Sequence, residues 1–155
     1  METAADFEAL LRQVEAIVYS EAPILERLGD ICTLLRDRVS HYDWVGFYLV
    51  DPQAPRQLVL GPYAGTPTEH TRIPFGKGIC GQAAATEQPF IVQDVSQETN
   101  YLSCSADVRS EIVLPLLREG KVRGELDIDS HALAPFTDAD RRFLERVCET
   151  IATLV

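Results

Sequence analysis

The chain of 155 residues contains no apolar run approaching the roughly 18–20 residues that cross a bilayer. Its opening segment, METAADFEALLRQVEAIV, has no basic stretch ahead of an apolar one, so neither a membrane span nor a signal peptide is predicted. Basic residues are scarce: 14 Lys and Arg stand against 24 Asp and Glu, a net charge of −10. Such a field repels phosphate polyanions and anionic headgroups, which excludes nucleic acid and membrane surfaces as partners and leaves a cytoplasmic location as the expectation. Cysteine is sparse too. The 4 cysteines form no CxxC pair, and with His41, His70 and His131 they match no common zinc spacing, so neither a disulfide scaffold nor a metal site is expected. Repeats, linkers and low-complexity segments are missing, and the length and the 46% hydrophobic content fit one core.

Phe7, Leu10, Leu11, Val14, Ile17 and Val18 fall at helical spacing, as do Ile24, Leu25, Leu28, Ile31, Cys32, Leu35 and Val39. The two runs predict amphipathic helices separated near Ser20 to Ala22, with Pro23 in the first turn of the second. From Trp44 to Val50 the texture turns aromatic and β-branched, and a turn at Asp51 to Pro55 leads into Gln57 to Ala64, which predicts a β-hairpin. A glycine-rich entry at Gly76 to Gly81 opens a short alanine-rich helix, followed by an extended Pro89 to Val92 and a polar loop from Asp94 to Ser110. Glu111 to Arg118 and Lys121 to Ser130 form a second predicted hairpin, and Thr137-Asp138-Ala139-Asp140 starts a last helix with Phe143, Leu144, Val147, Cys148 and Ile151 inward. The fold class is α+β: a single domain over 1–155, with N-terminal helices in 1–40 and, in 41–155, an antiparallel sheet, pocket loops and a C-terminal helix. Long helices cover one face of the sheet and a small-molecule pocket lies on the other.

Cys32 and Cys148 sit on apolar helix faces and read as core thiols. Cys80, in Gly78-Ile79-Cys80-Gly81, is either core filler or a thiol activated at a helix start. Cys104 stands in the polar loop Asn100 to Asp107, where no apolar period hides a side chain, so Cys104 and Cys80 are the two thiols open to redox exchange. In Glu125-Leu126-Asp127-Ile128-Asp129, alternation puts the three carboxylates on one face, either a solvated edge or, in a central strand, a row that demands a cation. Glu111 begins the neighbouring strand and closes that cluster. Trp44 and Tyr48 share a strand face and are either core aromatics or walls of an apolar pocket.

Trp44-x-Gly46-Phe47-Tyr48, Arg72-Ile73-Pro74-x-Gly76-x-Gly78-x-Cys80-Gly81, Cys104, Ser110-Glu111-Ile112-Val113-x-Pro115-Leu116 and Leu126-Asp127-Ile128-Asp129-Ser130, taken in order, resemble the free methionine-(R)-sulfoxide reductases, which are GAF domains. The resemblance runs from about residue 40 to the end. It implies that free L-methionine-(R)-sulfoxide is the substrate and Cys104 the nucleophile. It further implies that Glu111, Asp127 and Asp129 hold the substrate ammonium and hydrogen-bond or protonate the sulfoxide oxygen, and that Trp44 and Tyr48 wall its S-methyl end. No bound cofactor is implied. Thioredoxin is the expected reductant, drawing on NADPH through thioredoxin reductase, and a homodimer is the expected assembly.

Two positions depart from the family pattern. His70 stands where members commonly carry a resolving cysteine, so either Cys80 resolves Cys104 or an external thiol does. Glu125 stands where members tend to be apolar. A negative pocket also works against a thiolate, and Arg109, five residues beyond Cys104, is the cation placed to offset it.

Overall fold

The computed structural model describes residues 2–103 and 105–155; the predicted nucleophile, Cys104, lies outside the described residues. Two helices lead, α1 (Ala4–Val18) and α2 (Ile24–Arg38). They are followed by strands β1 (Trp44–Asp51), β2 (Ala54–Ala64) and β3 (Arg72–Pro74), helix α3 (Gly78–Thr86) and strand β4 (Phe90–Val92). A single 3-10 turn at Val95–Gln97 precedes β5 (Ser110–Arg118), β6 (Lys121–Ser130) and the closing helix α4 (Asp138–Ile151). The strands form one six-stranded sheet in the order β3-β2-β1-β6-β5-β4, with every pairing antiparallel. The α+β architecture expected from the pattern is the one observed. No described helix is long and apolar enough to cross a membrane.

Alternation sorts each central strand between two cores. Val45 and Phe47 of β1, Ile112, Leu114 and Leu116 of β5, and Leu126 and Ile128 of β6 point to the side covered by α1, α2 and α4, where they join Val14, Leu28, Ile31, Leu35, Leu144 and Val147. The Phe7 and Phe143 rings stack 4.6 Å apart and tie α1 to α4. Cys32 and Cys148 lie in this core with burial pushing both thiols far up, so they are the inert thiols the pattern predicted. The opposite side holds a smaller cluster of Trp44, Tyr48, Leu58, Ile73, Val92 and Val113 packed against Ile79, Cys80, Ala83 and Ala84 of α3.

Both long terminal helices begin with capping boxes, Thr3 with Asp6 and Thr137 with Asp140. Asp140 also accepts bonds from the Tyr42 hydroxyl and the His41 ring, each at 2.7 Å, which fastens the start of α4 to the chain entering β1.

Three local readings need correction. Pro23 is the N-cap of α2 and lies just outside the helix, because its extended ψ of 147° cannot continue one. Arg72–Pro74 is an edge strand paired with β2, too short to show a period in the sequence, with Pro74 at its end where no ladder donor is needed. The loop before Ser110 also contains the Val95–Gln97 turn, fixed by Asp94, whose carboxylate accepts from the Ser96 amide at 3.0 Å.

Gly46 marks where the smaller cluster is tightest. A Cβ there would strike the Trp44 ring and come within 2.8 Å of Tyr63 Cβ, the same pair of rings that stack 5.4 Å apart. Gly46→Ala is expected to displace Trp44, lowering stability by roughly 1–3 kcal/mol with a shift in tryptophan fluorescence, both readable in one denaturant titration.

Candidate active site

β6 is central, flanked by β1 and β5, which removes the solvated-edge reading of its carboxylates. Register makes the site. Asp129 lies between Trp44 on β1 and Glu111 on β5, Asp127 between Gly46 and Val113, and Glu125 between Tyr48 and Pro115. Four carboxyl groups therefore share the face under α3, with exposures of 5% for Glu111, 0% for Glu125, 1% for Asp127 and 2% for Asp129. Asp127 Oδ1 and both carboxylate oxygens of Glu125 are buried without a hydrogen-bond partner.

A cavity opens over this row, lined by Tyr48, His70, Ile73, Gly78, Ile79, Cys80, Leu102, Glu111 and Asp127. Its free space of ≈ 10 Å³ holds about one water molecule. Cys80 Sγ is 3.9 Å from Glu111 Oε2. Of the predicted site residues, the structure brings Tyr48, Cys80, Glu111 and Asp127 to one cavity and sets Asp129 and Trp44 one row further along the sheet. Trp44 donates from Nε1 to the Thr66 carbonyl at 2.9 Å.

Electrostatics follow from burial. Desolvation pushes Glu125 and Asp129 well above the usual carboxylate range, with the neighbouring Asp127 charge adding to both. Asp127 is raised by burial and pulled part of the way back by bonds with Glu111 and Cys80. Burial also drives the Cys80 thiol up, and Asp127, Glu125, Glu111 and Asp129 all add to it. The helix-start reading of Cys80 is thus right in position and reversed in effect: four carboxyl groups outweigh the fractional charge of a short helix. Arg109 is exposed and its charge helps to lower Asp94; its expected effect on Cys104 falls outside the described residues.

The loop leading to position 104 is latched over the cavity. Asn100 Oδ1 accepts from the Gly78 amide at 2.8 Å and its Nδ2 donates to the Gly76 carbonyl at 2.8 Å. Gln82 Nε2 donates to the Asn100 carbonyl at 2.9 Å. Gly78 has a φ of +68°, and a Cβ there would lie 2.8 Å from Leu102, so glycine serves both the left-handed backbone and the close approach of the loop. His70 completes the latch: its carbonyl accepts from the Tyr48 hydroxyl at 2.8 Å, and its Nε2 lies 2.8 Å from the Ser103 carbonyl, hence carries the proton. Sequence reasoning left His70 and Glu125 without roles and did not single out Asn100 or Leu102. A polar loop with one Asn carries no local sign of what it bonds.

Two outcomes follow from this geometry. His70→Ala should speed amide hydrogen exchange at 101–103 by about fivefold, the equivalent of one net hydrogen bond. For pH, Glu125, Asp127 and Asp129 have folded pKa values above their unfolded ones, so the folded state binds the extra protons. Their contribution is full below about pH 4 and is lost as pH rises through the raised values, so stability falls as pH climbs from the ordinary carboxylate range toward neutrality. Asp140 runs the other way: despite burial, bonds from His41, Thr137 and Tyr42 hold it low, and its contribution is lost only in stronger acid. Glu125→Leu should flatten the decline above pH 4.5 and raise stability at neutral pH by roughly 1–4 kcal/mol, measured by urea unfolding at several pH values.

The GAF domain family model matches residues 23–155. The free methionine-R-sulfoxide reductase of Escherichia coli strain K12 is 38% identical over 138 residues, covering 89% of this chain and 81% of that protein. GAF domain-containing protein A of Dictyostelium discoideum is 37% identical over 145 residues, covering 94% of this chain and 89% of its own length. Among solved structures, free methionine-R-sulfoxide reductase from Neisseria meningitidis in complex with its substrate superposes with a TM-score of 0.92 at 37% identity, covering 99% of this chain and 90% of that one. The match to the family model over 23–155 and the likeness to these relatives along nearly the whole chain, on a sheet with three helices behind it and a carboxylate-floored cavity in front, place the chain in the GAF-domain family and, within it, in the family of the free methionine-R-sulfoxide reductases.

Proposed function

We propose that this protein reduces free L-methionine-(R)-sulfoxide to L-methionine. The observation that carries the reading is the cavity floored by Glu111 and Asp127, walled by Tyr48 and roofed by the loop that runs directly into Cys104. Buried carboxyl groups crowded on one face are relieved by a cation, and a free amino acid brings one in its ammonium group. A methionine sulfoxide within a peptide offers a neutral amide at that position. Leaving the carboxylates without their cation costs roughly 2–5 kcal/mol, a discrimination of about thirtyfold to several thousandfold in favour of the free amino acid.

The chemistry divides among the residues. The Cys104 thiolate attacks the sulfoxide sulfur, and the oxygen, protonated by the carboxyl cluster, passes to the cysteine. Methionine leaves, reduced by two electrons, and Cys104 is left as a sulfenic acid, oxidised by two. Asp127 and Asp129, which burial holds above the usual carboxylate range, are suited to donate that proton, with Glu111 beside them. A second thiol then displaces water from the sulfenic acid to form a disulfide. Cys80, facing the cavity, is our choice for it, and a thioredoxin-type dithiol returns both cysteines to thiols by exchange. No bound cofactor enters the cycle.

The closed cavity, with room for about one water, admits no amino acid, so the loop over it opens before substrate enters. Trp44 and Tyr48 then flank the S-methyl end.

The test is a single turnover of pre-reduced protein with free L-methionine-(R)-sulfoxide. One methionine formed and two thiols lost per chain, both abolished in Cys104→Ser, is the expected result, with a Cys80 to Cys104 link in digests of the oxidised protein. Methionine with a single thiol lost would move recycling outside the chain. No methionine would leave a GAF module that binds a ligand without turning it over. Asp127→Asn should raise KM for the free substrate at least tenfold and, because Asp127 also serves the protonation step, lower kcat for free and peptide sulfoxide alike.

A further inference from the structure

One sulfur and two carboxylates face the same small cavity. The Cys80 thiol, a Glu111 oxygen and an Asp127 oxygen all lie within 4.8 Å of one another, and all three residues are buried. Tetrahedral zinc, with bonds of about 2.0–2.3 Å, brings its ligand atoms to roughly 3.3–3.8 Å apart, so small side-chain adjustments close the set. Cys80 Sγ and Glu111 Oε2 are already at 3.9 Å. A second observation points the same way: Asp127, which lines this cavity, has its Oδ1 buried without a hydrogen-bond partner, as are both oxygens of the neighbouring Glu125.

We propose that this cavity is a zinc site, in which Zn²⁺ held by Cys80, Glu111 and Asp127 takes the place of the substrate ammonium and blocks the reductase. The blocking rests on the reductase reading above; the metal site does not. Size supports it, because the free space of ≈ 10 Å³ fits a single ion in the closed form, whereas an amino acid must wait for the loop to open. Donor chemistry selects the ion. Thiolate sulfur with two carboxylates suits zinc, while calcium needs six to eight oxygens and magnesium keeps a near-complete octahedron of oxygen and water. The negative field that holds the Cys80 proton is the field that attracts a dication, so zinc displaces that proton as it binds. Glu125 and Asp129 add charge from the same face without serving as ligands.

The test uses the full chain carrying Cys104→Ser, so that the loop thiol is not a ligand, pre-reduced and freed of metal. Zn²⁺ affinity is read by competition with a chromogenic chelator, and Co²⁺ is added separately for its spectrum. The proposal expects one Zn²⁺ per chain, a tetrahedral Co²⁺ spectrum with a thiolate charge-transfer band, and displacement of the metal by free methionine sulfoxide. Adding Cys80→Ser should remove the thiolate band and weaken zinc binding by more than about a hundredfold, and Asp127→Asn should weaken it at least tenfold with the thiolate band retained. Far-ultraviolet circular dichroism of each variant separates lost binding from lost folding. Unchanged zinc affinity in the Cys80→Ser variant, an octahedral Co²⁺ spectrum, or no binding at micromolar zinc would overturn the proposal. Turnover of the metal-free wild type is measured in parallel, so that an inactive protein that still binds zinc counts against the reductase reading alone.

Discussion

The carboxyl groups of Glu111, Glu125, Asp127 and Asp129 are buried together on one face of a sheet whose other face is packed hydrocarbon, and their mutual repulsion sets the terms for everything near them. The hydrocarbon holds them there. Leu126 and Ile128 are locked into the core beneath the three long helices, and strand alternation then obliges Glu125, Asp127 and Asp129 to face the cavity. A slip of one residue in β6 would exchange the two sets and bury carboxyl groups among Leu28, Ile31 and Leu35, so the helical core that stabilises the fold also enforces the strained register of the site. The face without helices is free to be electrostatically costly because the other one is not.

That cost is the source of the selectivity proposed for this site. A face that charges only reluctantly becomes favourable when a cation arrives, and the cavity admits little else while the loop is latched. An ammonium and a zinc ion are two answers to the same field, and they differ in whether Cys80 must give up its proton. The same field explains the division of labour between thiols. Cys80, surrounded by carboxyl groups, is held as a thiol, whereas the proposed nucleophile belongs to a polar loop that is tied to the cavity through Asn100, Leu102 and the bond between His70 and Ser103.

The latch also gives His70 a structural role suited to its position. Its backbone carbonyl is held by Tyr48 from the sheet while its ring holds the loop, so one residue connects the wall of the cavity to the segment that closes it. A cysteine side chain at that position is too short to reproduce the ring's reach and offers only a weak donor.

Much of this was legible in the residues alone. Helical period marked α1, α2 and α4 with their inward faces, strand alternation separated Leu126 and Ile128 from the carboxylates beside them, and the capping box at Thr137 located the last helix. These are local properties, repeated along a few turns or a few strand residues, and the hydrophobic effect reads them the same way in any fold. What only the tertiary structure decided was the company each side chain keeps. Residue 80 joins 111 and 127 because α3 lies across β5 and β6, which no spacing encodes, and this is why a search for metal motifs in the sequence is blind to the set. Cys80 at a helix start reads as an activated thiol until its neighbours are known, and then the sign reverses. Periodicity is a one-dimensional signal and survives in the sequence; charge–charge energy depends on distance and burial, and those exist only once the chain has folded.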